Sequence, residues 1–495
     1  SQVRSQESEV TKSGAMIASG IMASALTIHE VERIAALAHL ELTDAEKELF
    51  TRQLADILAY AEQVQAIVRD ANARDLKVSF SGSRHSQGGH TYIEGGVVLD
   101  MRAFNRILNI DPDARTITVQ SGATWDEVQR ALAPRGLAIK VMQSSNIFTV
   151  GGTLSANAHG RDLDIMQVVE VVDRFSLLLA NGEIKEVSRT SSPELFSLVI
   201  GGYGMYGVIL DVTLRVTRVE LYEQRASIVD YKDFPRYFAE TVKRDPQAVL
   251  MLARPSIDPD PESFLREIAV VVWRHAPADA RASFTLTEEA NVTRDRFFFG
   301  LSRSFDWAKT LRWGLQKRVE LGEGEARVMS RNNSMRPPLA PLEFLEYHSS
   351  RDTDIIQEYF VPVEAFVPFL DRFREILVAD RANVLSSTVR YVMPNETPVL
   401  AYAPSRPVFA IIQMSNVGLS EQEQAHAASV TQQLVAAAID FEGTYYLTYQ
   451  LYPTPLQLHR AYPSAGYAFE QKRVYDPNET FSSQFYAKYG HTHAH

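Results

Sequence analysis

The turn Ser81-Gly82-Ser83-Arg84-His85-Ser86-Gln87-Gly88-Gly89-His90, dense in small residues with a histidine at its centre, is where this 495-residue chain has most chemistry to offer. It follows an apolar strand (Leu76, Val78, Phe80) and precedes Gly96-Val97-Val98-Leu99-Asp100-Met101. Backbone N–H groups left unpaired in such a turn point one way and cradle an anion, phosphate above all. Glycine and serine let the backbone come close to a ligand. Taken alone the turn reads as a plain hairpin; two later segments fit the same ligand. Thr149-Val150-Gly151-Gly152-Thr153-Leu154-Ser155-Ala156-Asn157-Ala158-His159-Gly160 brackets small polar residues with glycines, and Gly201-Gly202-Tyr203-Gly204-Met205-Tyr206-Gly207-Val208-Ile209 repeats the theme.

Elements must position these segments. Residues 202–207 spell G-x-G-x-x-G, but a Rossmann turn opens a helix. Here Leu210-Asp211-Val212-Thr213-Leu214-Arg215-Val216 follows, a strict period-two alternation and hence a strand. A dinucleotide is then held another way, in an α+β domain. Thr116–Val119 reads as a strand, Thr124–Ala133 as a helix with Trp125, Val128 and Leu132 on one face, and 168–179 as a strand region turned by Asn181-Gly182. The turn-rich stretch 333–342 reads as a loop able to cover a site.

Composition narrows the classes. A net charge of −11 argues against nucleic acid as the main partner. The absence of cysteine excludes disulfides, zinc–thiolate and iron–sulfur sites and a cysteine nucleophile; we expect a cytoplasmic protein and no metal. No run reaches the ~20 apolar residues that span a bilayer. Gly14–Ile28 with Ala23-Ser24-Ala25 has traits of a secretory signal, but Glu7 and Glu9 dilute its positive flank, and a flexible tail over 1–25 is simpler. His491, His493 and His495 read as a frayed tail.

Two capping boxes, Thr27/Glu30 and Thr43/Glu46, precede helical apolar patterns (Val31, Ile34, Ala35, Ala38; then Phe50, Leu54, Ile57, Leu58, Ala61). This predicts a helical hairpin over 26–62. Leu-Thr-Ile-His-Glu-Val-Glu-Arg-Ile-Ala and Leu-Glu-Leu-Thr-Asp-Ala-Glu-Lys resemble the C subunit of the bacterial Glu-tRNA/Asp-tRNA amidotransferase. That resemblance implies an amidotransferase-like partner for residues 26–62; a helical appendage is the plainer alternative.

From Gln63 to Val219 the glycine-rich segments, with Ser121-Gly122-Ala123-Thr124-Trp125 between the first two, resemble the flavin-binding (PCMH-type) domain of the vanillyl-alcohol oxidase family. The resemblance implies two α/β subdomains holding FAD. Gly82, Ser83, Arg84, His85 and Ser86 would grip the diphosphate. Ser121, Gly122, Thr124, Ser145, Gly151, Gly152, Ser155, Asn157, His159, Gly160, Gly202 and Gly207 would complete the pocket, with Val208 and Ile209 at the adenine end. Gly82-Ser83-Arg84-His85-Ser86 matches the family motif in which a histidine is bonded to the flavin 8-methyl carbon, so His85 is either a covalent tether or a hydrogen-bonding partner. His90 reads as solvent-facing or packed. The family's opening strand with its Arg-Pro pair is missing; the chain is a fusion, or residues 1–22 supply a substitute strand.

The remainder resembles the substrate domain of the sugar-oxidising branch, alditol oxidases included, through Ile355-Ile356-Gln357-Glu358-Tyr359-Phe360-Val361-Pro362 and Lys472-Arg473-Val474-Tyr475-Asp476-Pro477-Asn478. This implies an α+β cap with an antiparallel sheet over 220–450 and a return of 451–495 to the flavin domain. The implied reaction moves hydride from a CH–OH group of a polyol, sugar or related alcohol to flavin N5. Lys472 is the first candidate for the cation beside reduced flavin. Gln357 and Tyr359 share one strand face and Glu358 the other; Arg390, Gln413, Tyr446 and Tyr449 follow, the two tyrosines reading first as packing. Oxygen and another electron acceptor both stay open. The rival reading is a non-catalytic amidotransferase-associated subunit with a vestigial flavin fold.

Overall fold

Residues 43–143, 145–288, 292–321, 327–336 and 347–491 are described by a computed structural model. The first capping box, residues 1–42, most of the 333–342 loop, and His493 and His495 lie outside them. The chain divides into two units, residues 1–70 and 71–495. In the first, the described part is helical from Asp44, and that helix runs unbroken to Ala73. The pattern change expected at Gln63 therefore falls inside one helix.

In the second unit, Val78–Ser81 (β1) and Val97–Asp100 (β2) pair in parallel. The turn between them is thus a crossover and not a hairpin. Ile107–Asp111 (β3), Thr116–Gln120 (β4), Leu137–Ile139 (β5), Val172–Leu178 (β6), Ile184–Ser188 (β7) and Val208–Arg218 (β8) make an antiparallel sheet of order β3-β4-β8-β6-β7, with β5 also on β8. β8 is the alternating strand that the G-x-G-x-x-G turn feeds. Period-two alternation buries Ile117 and Val119 of β4, while Thr118 faces Thr213 of β8, hydroxyl to hydroxyl at 2.9 Å.

The helix Trp125–Leu132 starts on a Thr124/Glu127 capping box, a feature contributing about 1 kcal/mol. It buries Trp125, Val128 and Leu132, each worth about 1.5–3 kcal/mol. The Trp125 indole donates to Thr153 Oγ1 at 2.9 Å, tying this helix to the short helix Val150–Ser155.

Leu221–Asp230 (β9), Ala248–Pro255 (β10), Glu267–His275 (β11), Arg327–Ser330 (β12), Asp352–Pro362 (β13), Asn383–Val392 (β14), Val408–Gly418 (β15) and Thr444–Tyr445 (β16) form an eight-stranded sheet ordered β12-β9-β11-β10-β14-β15-β13-β16. Its pairings are antiparallel throughout. Helices Phe366–Ala379 and Glu421–Asp440 pack against it. The architecture is α+β, with mixed helices, two large antiparallel sheets and the small parallel pair β1-β2.

The C-terminal segment closes the unit on β1. Val78 N donates to Thr480 O at 2.6 Å and Ser482 N to Val78 O at 2.9 Å.

Candidate active site

The glycine-rich segments converge because their glycines allow backbones to touch. A Cβ on Gly82 would lie 2.0 Å from Thr149 Oγ1, and one on Gly151 would lie 2.7 Å from Ser121 Cβ. Gly204, at φ +79, sits against the Phe80 ring. Backbone bonds fix the arrangement: Gly151 N to Ser121 O at 2.7 Å, Tyr203 N to Ser155 O at 2.9 Å and Ser121 N to Leu210 O at 2.9 Å. Ser83 Oγ donates to Ile147 O at 2.7 Å.

These segments form one wall of a cavity of about 410 Å³, a size usual for ligand sites. Gly82, Ser83, Arg84, His85, Ser86, Ser121, Ser145, Gly151, Gly152, Ser155, His159, Val208 and Ile209 all line it. The N–H groups of Ser83 through Ser86 find no acceptor among the described residues. Arg84 takes φ +60, the left-handed conformation that lets successive N–H groups face one way. Among the described residues, Ser81 Oγ, Ser86 Oγ, Ser145 Oγ and His85 Nε2 are buried without a partner. Orphaned donors around a glycine cradle fit the diphosphate of a dinucleotide.

Six residues expected at the cofactor do not line the cavity. A Cβ on Gly122, Gly160 or Gly202 would strike the carbonyl of Met101, Met142 or Leu198, and one on Gly207 that of Leu178, so these glycines serve backbone packing. Thr124 caps its helix. Asn157 bridges Gln167 Oε1 and Val169 N from a left-handed conformation.

The opposite wall is one face of the eight-stranded sheet: Leu252 and Arg254 of β10, Ile356 and Glu358 of β13, Ser386, Thr388 and Arg390 of β14, and Ile412 and Met414 of β15. Strand alternation puts these on a single side. Glu358 Oε1 lies 2.6 Å from His159 Nε2, with both side chains 2% exposed. Tyr449 donates to Glu358 Oε2 at 3.4 Å, and Arg390 to the His159 carbonyl at 3.3 Å. Burial and the Glu358 charge push the Tyr449 phenol well above its ordinary value, so it stays a donor. Tyr446 lines the cavity too and donates to Ala156 O at 2.9 Å.

His85 lies against Phe148, ring centroids 4.3 Å apart, and burial lowers its pKa to about 4. Its imidazole is neutral at physiological pH. His90 is buried between Tyr203 and Phe485 and also lines the cavity. Of the two positions expected for it, solvent-facing or packed, it takes the packed one.

Gln357, Tyr359 and Gln413 point to the other side of the sheet. They line a second cavity, of about 350 Å³, under the helix Glu421–Asp440. Lys472 lines neither cavity. It is fully buried, its ammonium pairs with Asp476 one helical turn on, and the Phe481 and Tyr486 rings flank it. Burial lowers it to about 8. Asp476 in turn accepts from Thr480 N and Phe481 N, so the pair shapes the C-terminal segment that closes on β1. Lys472, expected beside the flavin, thus lies outside the cavity that the glycine-rich segments line.

Arg161, Arg254 and Thr388 line the cavity without having been expected there. Arg254, a lone charge in the otherwise apolar run Ala248–Pro255, is the one that sequence inspection had a signal for.

Residues 55–188 match the family of FAD binding domains. Over 159 residues the chain is 36% identical to the uncharacterized oxidoreductase ORF5 in the fasciation locus of Rhodococcoides fascians, covering 31% of this chain and 35% of that protein. It is 33% identical over 159 residues to decaprenylphosphoryl-beta-D-ribose oxidase of Mycolicibacterium smegmatis, 32% of this chain and 35% of that one. It is 30% identical over 186 residues to D-lactate dehydrogenase of Anaerostipes hadrus, 36% and 39%. The matched stretch spans about a third of the first two relatives' length and somewhat more of the third's.

Proposed function

We propose that this chain, whose residues 55–188 match the family of FAD binding domains, is an FAD-dependent oxidoreductase that oxidises a CH–OH group of a sugar, polyol or related alcohol. The flavin, when bound, supplies the hydride acceptor. The cradle Ser83–Ser86, with Ser121, Ser145, Gly151, Gly152 and Ser155, holds the diphosphate. Glu358 accepts the proton of the substrate hydroxyl, and His159 and Tyr449 hold that carboxylate in one orientation. Ser386 and Thr388 offer hydroxyl partners on the same sheet face. The observation that carries this reading is the buried Glu358–His159 pair at 2.6 Å, in the same cavity as a cradle of orphaned backbone donors.

His85 is the proposed covalent tether. Its neutral ring, with Nε2 free of any partner, supports that role. Purified protein should be yellow and keep its colour through acid precipitation. Anaerobic bleaching by polyols, sugars and hydroxy acids, against amines as controls, tests the reaction class; re-oxidation in air then shows whether oxygen serves as acceptor. A colourless preparation, or a flavin that no alcohol bleaches, overturns the reading.

A further inference from the structure

The sheet wall carries more positive charge than oxidation of a neutral alcohol needs. Arg254 and Arg390 rise from β10 and β14 into the cavity, and Arg161 joins them from the segment that follows His159. Met251 N donates to Arg161 O at 2.9 Å, which pins that segment to β10. Arg254 pairs with Glu320. Arg161 reaches Ser334 O at 3.3 Å, while its buried Nε has no partner. Among the described lining residues Glu358 is the single carboxylate, and His159 and Tyr449 already engage it.

Burial and the neighbouring Arg390 charge pull Arg161 down to about 9 and Arg254 to about 10. Like charges held close and away from water behave this way, and an anion relieves them. The arginines also belong to different elements from the glycine–serine wall assigned to the diphosphate: two are on sheet strands and the third is pinned to one.

We propose that the alcohol taken by this site carries an oxyanion, a carboxylate or a phosphate monoester, which Arg161 and Arg390 bind, with Arg254 held beside them by its pair with Glu320. The proposal rests on the oxidoreductase reading above and narrows its substrate from neutral polyols to hydroxy acids, sugar acids or sugar phosphates. A guanidinium fork pairs with either oxyanion through two parallel hydrogen bonds. Glu358 stands on the same face for the carbinol proton, so one end of the substrate is anchored while the other reacts.

Isothermal titration calorimetry of the purified holoprotein with oxalate, inorganic phosphate and erythritol reads binding without turnover. At least one anion should bind at least tenfold more tightly than erythritol, and the tighter of the two identifies the oxyanion. Arg161→Gln should weaken that binding about tenfold or more, with flavin content and melting temperature unchanged. Absence of anion binding, an Arg161→Gln affinity equal to wild type, or loss of flavin from the variant with anion binding intact each overturns the proposal. Should Arg161→Gln not fold, Arg390→Lys keeps the charge and removes the fork: the same loss supports the proposal and unchanged affinity sinks it. Failure of the parent reading is distinct. A colourless protein that binds oxalate refutes the flavin chemistry and leaves the anion site; a flavin bleached by neutral polyols, with no anion bound, does the reverse.

Discussion

The two faces of the eight-stranded sheet each border a cavity, and the chemistry differs by a shift of one residue. On one face stand Glu358, Arg254 and Arg390, with Ser386 and Thr388 between them. On the other, β13 and β15 present Ile355, Gln357, Tyr359, Gln413 and Ser415, none of them charged. Gln357 Nε2, Tyr359 Oη and Gln413 Oε1 are buried there without partners. Strand geometry makes such sidedness inevitable: neighbours in sequence serve opposite surfaces. A polar residue in a sheet acquires its role from the face it joins, because only one face meets the cradle.

Substitutions on adjacent positions sharpen the contrast. Glu358→Gln keeps the shape and removes the proton acceptor, so turnover should fall about 10²- to 10⁴-fold with flavin content preserved; an unchanged turnover number would remove the carboxylate from the chemistry. On the cradle side, His85→Ala should give protein whose colour is released by acid, and retained colour would move the tether elsewhere. One residue from Glu358, Gln357→Leu should leave turnover within about twofold and stability equal to wild type or raised by about 1 kcal/mol, since a buried amide with an unpaired donor is costly. A turnover loss matching that of Glu358→Gln would mean that both faces serve the reaction.

The smallest effect is expected from pH. Burial holds His85 and His90 down to about 4 in the folded protein, against about 6.5 in the unfolded chain. Between those values the unfolded state binds more protons, so both histidines lower stability as pH falls from about 6.5 toward 4. Thermal melts between pH 7 and 4.5 should show the decline, and His90→Gln should flatten it.

Glycine and serine spacing made the cradle legible before any fold was known. Gly82, Gly151 and Gly204 each allow a close approach that a side chain would block, and such demands mark the sequence directly. The strand of β8 after the G-x-G-x-x-G turn was equally plain from alternation. The sheet wall was less so, because which parity of β13 faces inward depends on long-range packing, and Arg161 comes from a segment with no distinctive pattern; only Arg254, a lone charge in an apolar strand, carried a signal. The parallel pairing of β1 with β2 was hidden for the same reason: a glycine-rich turn suggests a hairpin, although the connection over 82–96 is long enough for a crossover. Lys472, read first as a candidate flavin cation, has Asp476 four residues on, a spacing that signals the buried ion pair it makes.

The docking of the C-terminal segment on β1 sets an order of events during synthesis. Lys77 donates to Asn478 O across 401 residues of chain. At 5–20 residues per second a ribosome needs roughly 20–80 s to deliver the second partner after the first. Throughout that interval β1 has β2 beside it but lacks the C-terminal segment on its other side, so that edge of the strand stays uncovered until translation is nearly finished.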